Sequence, residues 1–353
     1  MRNCKNLIRY LGIGAAGAYL LLRPQQCAAS VREGIGICVE RLIPALFPYL
    51  VVSNLFLASG GAQATGRRAG GFMRRVFHVG EAGSAALLLG LTGGYPVGAK
   101  TAASLCREGI MGKEDAQRLL CFCNNAGPAF LFGVIGAACY RSAWIGAALC
   151  GVHFLSALTC GILLRGKAPA SDAAPPVKPL PPFSEAFTGA VRDAGRTMLS
   201  ISLLVTVFTV LLGAVRQLFP GNETVYLLFS SVLELSSGCL SVAASALPWA
   251  VKFPLTAAVV GWGGVCVHLQ TISAISDSGL SAAPYLRAKA LQAVVSALLA
   301  LPLSVLLRPL VQTFGAQTVL RPFSPLPWTL FSIGMTCLIF LQFTSSNSRE
   351  KGL

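Results

Sequence analysis

Apolar runs close to twenty residues long alternate with short polar or basic stretches along most of the chain. None shows the period of two that a transmembrane barrel strand carries. The pattern therefore predicts α-helices that cross a bilayer and satisfy their own backbone. "YLGIGAAGAYLLL", behind Arg2, Lys5 and Arg9, predicts an N-terminal helix within residues 1–30. It is either a membrane helix with Arg9 reaching the interface or a signal peptide cleaved near "QCAAS". Residues 32–56 start amphipathic and end apolar, the first crossing of a segment that runs over 31–164. In "AALLLGLTGGYPVGAKTAASLCREG" each apolar arm is too short to span, and Gly93, Gly94 and Pro96 break the middle. A re-entrant helical hairpin is expected there. "KEDAQRLL" opens a helix that Asn124–Pro128 interrupts before "AFLFGVIGAACY" completes the crossing, and residues 142–164 return.

Residues 165–182, "RGKAPASDAAPPVKPLPP", are Pro-rich, basic and too polar for the bilayer, so they read as a cytoplasmic linker. The pattern then restarts over 183–308 with an amphipathic start and apolar end, a short broken pair of arms in "LFSSVLELSSGCLSVAASAL", a crossing interrupted at Gly261–Gly264, and a span at 286–308. Residues 309–353 hold a C-terminal loop, a last helix at 326–343 and a short tail. Leu89–Gly94 lines up with Leu233–Gly238, and NNAG at 124–127 with GWGG at 261–264. Each unit then has three crossings and one hairpin, and an odd number inverts the second unit. The fold expected is an all-α, polytopic helical bundle in the membrane. It would hold two inverted repeats, each with a re-entrant hairpin and a broken transmembrane helix. Basic residues in 60–81 and 165–182, with Arg287, Lys289, Arg349 and Lys351, fall on the cytoplasmic side; Arg308 and Arg321 fall outside, against the rule.

Composition agrees. The chain is 54% hydrophobic and 12% charged, against about 25% charge in an average soluble domain, and its mean hydropathy is +0.67. The net charge of +15 sits in short loops, where it sets topology rather than binding nucleic acid. Most of the twelve Cys lie in or beside apolar runs as small hydrophobes, without metal-ligand spacing. "GGYPVGAKT" is not a phosphate-binding loop, since Ala99 separates Gly98 from Lys100. No paired Asp, HExxH or GxSxG is present, so no enzyme, metal or cofactor is expected.

Paired discontinuous helices in inverted repeats are the usual build of secondary transporters. A broken helix exposes N–H groups at one half-end and C=O groups at the other, each end carrying about half an elementary charge. In hydrocarbon such groups are tolerated only around a polar cavity. Two tips, Thr92, Gly93, Gly94 and Tyr95 on one side and Ser236, Ser237 and Gly238 on the other, should meet two breaks near mid-membrane. The breaks bring Asn124, Asn125, Gly127, Gly263 and Gly264. Glu234 is the one acid between Thr224 and Ser276 and a candidate to couple transport to H+ or Na+. His268 and Gln270 follow the second break. Plainer readings stand beside these. Gly90, Gly94 and Gly98 form overlapping GxxxG and could mark a close helix contact. Asn124 and Asn125 could be interhelical glue. Glu234 could be solvated at the interface, and His153 reads as a packing residue.

"GGYPVGAKTAASL", "QRLLCFCNNAGPAFLFGVIG" and "WGGVCVHLQTISAISDSGLS" resemble the sporulation integral membrane protein family of the YlbJ/SpoVV type, over about residues 30–310. Through it the chain is similar to the nucleoside-recognition Gate-domain superfamily and the concentrative nucleoside transporters. The resemblance implies a role in endospore formation, in the mother-cell or outer forespore membrane. It also implies movement of dipicolinate, a small aromatic dianion. The expectation is a secondary transporter of a small polar or anionic solute. The alternatives are a nucleoside transporter or a non-transporting scaffold for spore-envelope assembly. The solute and the lipid bilayer are the partners, and oligomerisation is left open. Replacing Asn124 and Asn125 by Ala is expected to stop transport while the fold survives.

Overall fold

The computed structural model describes residues 2–60, 68–166 and 180–314, and every regular element in them is helical. In chain order these are α1 (Arg2–Leu22), α2 (Pro24–Ile37), α3 (Ile43–Ala58), α4 (Gly83–Gly93), α5 (Val97–Arg107), α6 (Lys113–Cys123), α7 (Ala129–Cys139, wound as a π-helix) and α8 (Ala143–Leu163). After the linker come α9 (Phe183–Leu218), α10 (Glu223–Leu233), α11 (Leu235–Ala244), α12 (Trp249–Trp262), α13 (Gly264–Ile275) and α14 (Ala282–Phe314).

Among the described residues, four spans are long and apolar enough to cross a membrane: Ala143–Leu163, Phe183–Leu218, Trp249–Ile275 and Ala282–Leu307. The crossing expected at 32–56 lies within the run from Pro24 to Ala58, which is bent by 57°. A π-helical turn at Cys38–Leu42 precedes the bend, and Pro44 opens the next helix. α6 and α7 are eleven residues each, too short to cross singly, so the crossing expected there is divided at 124–128.

The long helices sort their faces by helical period. On α9, Ala190, Ala194, Ile201, Val205, Phe208 and Leu212 are buried, while Leu199, Leu203, Val207 and Leu211 are exposed. On α14, Tyr285, Lys289, Gln292, Ser296 and Ala300 are buried, and Val294, Leu298, Leu301 and Val305 are exposed. An outer face this apolar suits lipid, since leaving it in water would be costly. α9 runs antiparallel to α2 and α3. Ser30 lies against Gly213, Gly34 against Thr206, and Asn54 Nδ2 donates to Ala190 O at 3.2 Å. Glycine is required at the crossing, because a Cβ on Gly34 would stand 2.9 Å from the Thr206 Cα.

α4 and α5 form the expected first hairpin, broken at Gly94–Pro96, and α10 and α11 the second. The second breaks at Glu234, before the point the sequence alignment suggested. Ser236, Ser237 and Gly238 are not its tip but the first turn of α11. The reason is chemical: Glu234 takes an extended backbone and caps α11 with its own carboxylate, so the helix begins immediately after it. The interrupted crossings break at 124–128 and at Gly263, and Gly261 stays inside α12, packed on Ala293 of α14. Lys289 is not a cytoplasmic loop charge; it is 0% exposed in the middle of the bundle. Residues 61–67, the linker core 167–179 and everything after 314 lie outside the described residues, including the last crossing expected at 326–343, Arg321, Arg349 and Lys351.

Candidate functional site

Four interruptions come together in the interior. Gly94 at the first tip abuts Gly127 at the first break: a Cβ on either would lie 2.9 Å from the other's backbone nitrogen. Gly264 at the second break abuts the second tip, where a Cβ would lie 3.0 Å from Leu235 N. The pairs meet through Tyr95. Its hydroxyl reaches Val260 O at 3.4 Å and would be 3.1 Å from a Cβ on Gly263. Gly94, Gly263 and Gly264 have φ of +81°, +87° and +82°, so glycine's freedom is used at each.

The backbone groups freed by the breaks are capped across elements. Asn125 Nδ2 donates to Phe122 O at 2.7 Å, closing the end of α6. Asn124 Oδ1 accepts from Ala99 N in the first turn of α5 at 3.3 Å. His153 Nε2 accepts from Ala126 N at 3.0 Å. In the second half, Trp262 Nε1 donates to Val232 O at 3.0 Å, and Tyr95 serves the end of α12. Both Glu234 oxygens accept backbone N–H groups, from Ser236 at 3.0 Å and Ser237 at 2.7 Å. At 2% exposure Glu234 is no solvated interface residue. Each such pairing removes a penalty of several kcal/mol that an open backbone group would carry in hydrocarbon.

A cavity of about 50 Å³ lies where the four elements meet, lined by Gly94, Tyr95, Ala126, Gly127, Phe130, Glu234, Leu235, Ser236, Val267 and Gln270, with Leu42, Leu46, Ile201 and Val205 closing it. The second arm of every interrupted element starts here, so four helix N-termini, α5, α7, α11 and α13, flank it. Their dipoles make the space favourable to negative charge, and the Glu234 carboxylate answers part of that field. The volume admits a few waters or one ion. It is far below the roughly 300 Å³ of a pocket that encloses a drug-sized molecule.

Of the residues expected from sequence, Gly94, Tyr95, Gly127, Glu234, Ser236 and Gln270 line the cavity. Thr92 and Gly93 turn towards Tyr49 of α3, which donates to the Thr92 hydroxyl and covers Gly93. Asn124 and Asn125 sit behind the cavity, where the glue reading holds as well as the break reading. Asn124 Nδ2 donates to Thr271 Oγ1 at 2.9 Å and reaches Tyr285 OH at 3.4 Å. The GxxxG reading also holds: Gly90 and Gly98 let the hairpin press on the Cys123 carbonyl. Ser237 caps onto Glu234, Gly238 packs on Ser231, and Gly263 and Gly264 form the break. His268 bonds Tyr285 OH at 3.3 Å and packs edge-on to Trp262.

Sequence reasoning missed the polar core behind the breaks. His153 is not a plain packing residue, because it accepts the backbone N–H of Ala126 in the first break. Lys289 Nζ lies 2.7 Å from Gln292 Oε1, 3.5 Å from Asn125 Oδ1 and 5.0 Å from the Tyr95 ring centroid. Gln292 Nε2 donates to Asn125 Oδ1 at 3.0 Å, and Ser296 Oγ bonds Ser156 Oγ at 2.8 Å. The signal was present: Tyr285, Lys289, Gln292 and Ser296 recur every three to four residues inside an apolar run.

These features define a polytopic α-helical membrane protein with two helical hairpins and two broken helices closing on a small, largely apolar internal cavity that carries one carboxylate. Compared with known proteins, the chain is 25% identical, over 318 aligned residues covering 79% of it and 78% of the relative, to the sporulation integral membrane protein YlbJ of Bacillus subtilis (strain 168). The chain is accordingly similar to a sporulation integral membrane protein over most of its length, and its long apolar helices are those of a multi-pass membrane protein. No family model and no solved structure matches.

Proposed function

We propose that the protein is a secondary transporter of a small polar or anionic solute, with dipicolinate the favoured candidate. The single observation that carries this is the convergence of four half-helix N-termini on one buried cavity holding a carboxylate. Broken helices whose positive ends face an anionic group are the recurrent device of such carriers. Dipicolinate comes from the family resemblance, and the electropositive helix ends agree with it. The antiparallel packing of α2 and α3 on α9 supports inverted repeats, with 60–81 and 165–182 cytoplasmic. A buried carboxylate lining the cavity supports Glu234 as the group that exchanges H+ or Na+. A solute the size of dipicolinate requires the cavity to widen, so this conformation is read as an occluded state. In the cell the protein would work in the mother-cell or outer forespore membrane, without enzymatic activity or cofactor.

The test is uptake of labelled dipicolinate and labelled uridine into proteoliposomes, with and without H+ and Na+ gradients. Gradient-driven uptake of dipicolinate is expected. Uptake of uridine alone would favour the nucleoside reading that the Gate-domain resemblance suggests. Uptake of neither, by protein shown to be folded, would favour a scaffold.

A further inference from the structure

Behind the Tyr95 ring lies a second polar site that the cavity does not include. It is built by Lys289 and Gln292 of α14, Asn125 of the first break and His153 of α8. All four are buried, Lys289 completely. Lys289 takes part in no ion pair among the described residues. Buried charges elsewhere are paired or held by counter-ions, because an isolated ion in a low-dielectric interior is costly.

The hydrogen-bond inventory is one-sided. Gln292 Oε1 already accepts from Lys289, and Asn125 Oδ1 accepts from both Lys289 and Gln292. The His153 carbonyl is taken by Ser156 and Gln292. His153 Nε2 accepts from Ala126 N, which puts the proton of a neutral ring on Nδ1. Nδ1 is buried and has no partner. The cluster thus holds two donors in need of partners, His153 Nδ1–H and the Lys289 amine, while Asn125 Oδ1 and the His153 carbonyl each already accept two bonds and only Gln292 Oε1 keeps a lone pair. A group that completes it must be an acceptor and should be negative.

We propose that Lys289, with Asn125, Gln292 and His153 around it, is the site that recognises a carboxylate group of the solute, reached from the cavity past the Tyr95 ring. Tyr95 lines the cavity on one side and carries the Lys289 ammonium 5.0 Å from its ring centroid on the other. The inference deepens the transport reading and takes its solute from it, whereas the geometry stands by itself.

The experiment is thermal unfolding of the purified full-length protein in detergent, titrated at constant ionic strength with pyridine-2,6-dicarboxylate or its neutral diamide. Wild type should be stabilised saturably by the dicarboxylate and not by the diamide. Lys289→Met should weaken that response about tenfold or more, the usual scale for a lost charged hydrogen bond. Gln292→Glu places a carboxylate at the position now 2.7 Å from Lys289 Nζ. It should melt at or above wild type and lose the response, which keeps the test decisive if Lys289→Met does not fold. The proposal is overturned if wild type ignores the dicarboxylate or responds equally to the diamide. It is also overturned if Gln292→Glu is destabilised or still responds like wild type. Uridine uptake without any carboxylate response would sink this inference and leave the transport reading standing. Carboxylate binding with no uptake of any solute would do the reverse.

Discussion

Gly98→Ala in α5 should be among the most damaging single changes in the protein. A Cβ at Gly98 would lie 2.1 Å from the Cys123 carbonyl oxygen and 2.7 Å from its carbon. Both are backbone atoms, so no rotamer relieves the clash. The hairpin must retreat by about 1 Å to restore an ordinary contact. That movement breaks the 3.3 Å bond from Ala99 N to Asn124 Oδ1 and leaves both groups buried. Overpacking costs about 1–3 kcal/mol, and an unsatisfied buried polar group about 1–3 kcal/mol more. The total, about 2–6 kcal/mol, lowers the melting temperature by several degrees, up to on the order of 10 °C, in a chain of this size. Gly151→Ala in α8 is the control, because a Cβ there meets nothing within 4 Å. Unfolding in detergent is read with a thiol dye, to which buried Cys121, Cys123 and Cys160 become accessible. If Gly98→Ala melts with Gly151→Ala, the close seating of the hairpin on the first break is wrong.

Asn124→Ala should lower stability by about 2–3 kcal/mol, because the amide serves Ala99, Thr271 and Tyr285 together. The Asn124/Asn125 double Ala variant would therefore lose fold along with function, which thermal unfolding checks. Asp115→Ala should cost about 3 kcal/mol by the same assay, since the buried carboxylate holds Arg118 and Gly80 N. Outside the membrane, the Arg107 guanidinium at 2.7 Å holds the exposed Asp277 carboxyl below its ordinary range. A depressed carboxyl stabilises at all pH above the unfolded value and is lost only as pH falls through the folded one. Asp277→Asn should accordingly lower melting by the same small amount at every pH between about 5 and 8, with the difference from wild type closing only in more acidic solution. Single Cys placed in 60–81 or 165–182 of a Cys-free variant should react with impermeant thiol reagents from the cytoplasmic face only; labelling of both from outside would sink the inverted topology.

The helices and all four interruptions were legible because Gly, Pro and Asn are rare inside apolar runs and each has a local backbone consequence. The exact start of α11 was not. Matching the two hairpins by glycine puts the second tip at Ser236, Ser237 and Gly238, whereas Glu234 can cap a helix itself and the break falls at that residue. The π-helical turn at 38–42 has no Gly or Pro within it and left no mark in the sequence, although Pro44 stands at the bend that follows. Lys289 was read as a loop charge because basic residues usually are. Only the third dimension shows Asn125, Gln292 and Tyr95 closing around it, although the polar stripe on α14 carried the hint. His153 gave no sequence signal as a cap, since its partner Ala126 N is 27 residues away.

The most direct test of the central claim is dipicolinate uptake by wild type and Glu234→Gln in the same proteoliposome preparation, with melting temperatures measured alongside. Gln keeps one acceptor for the α11 backbone and removes the charge from the cavity. Wild-type uptake driven by an ion gradient, and a folded Glu234→Gln protein whose uptake no longer responds to that gradient, is the predicted result. Equal, gradient-driven uptake by both proteins would contradict a solute site coupled through the cavity where the four broken helices meet.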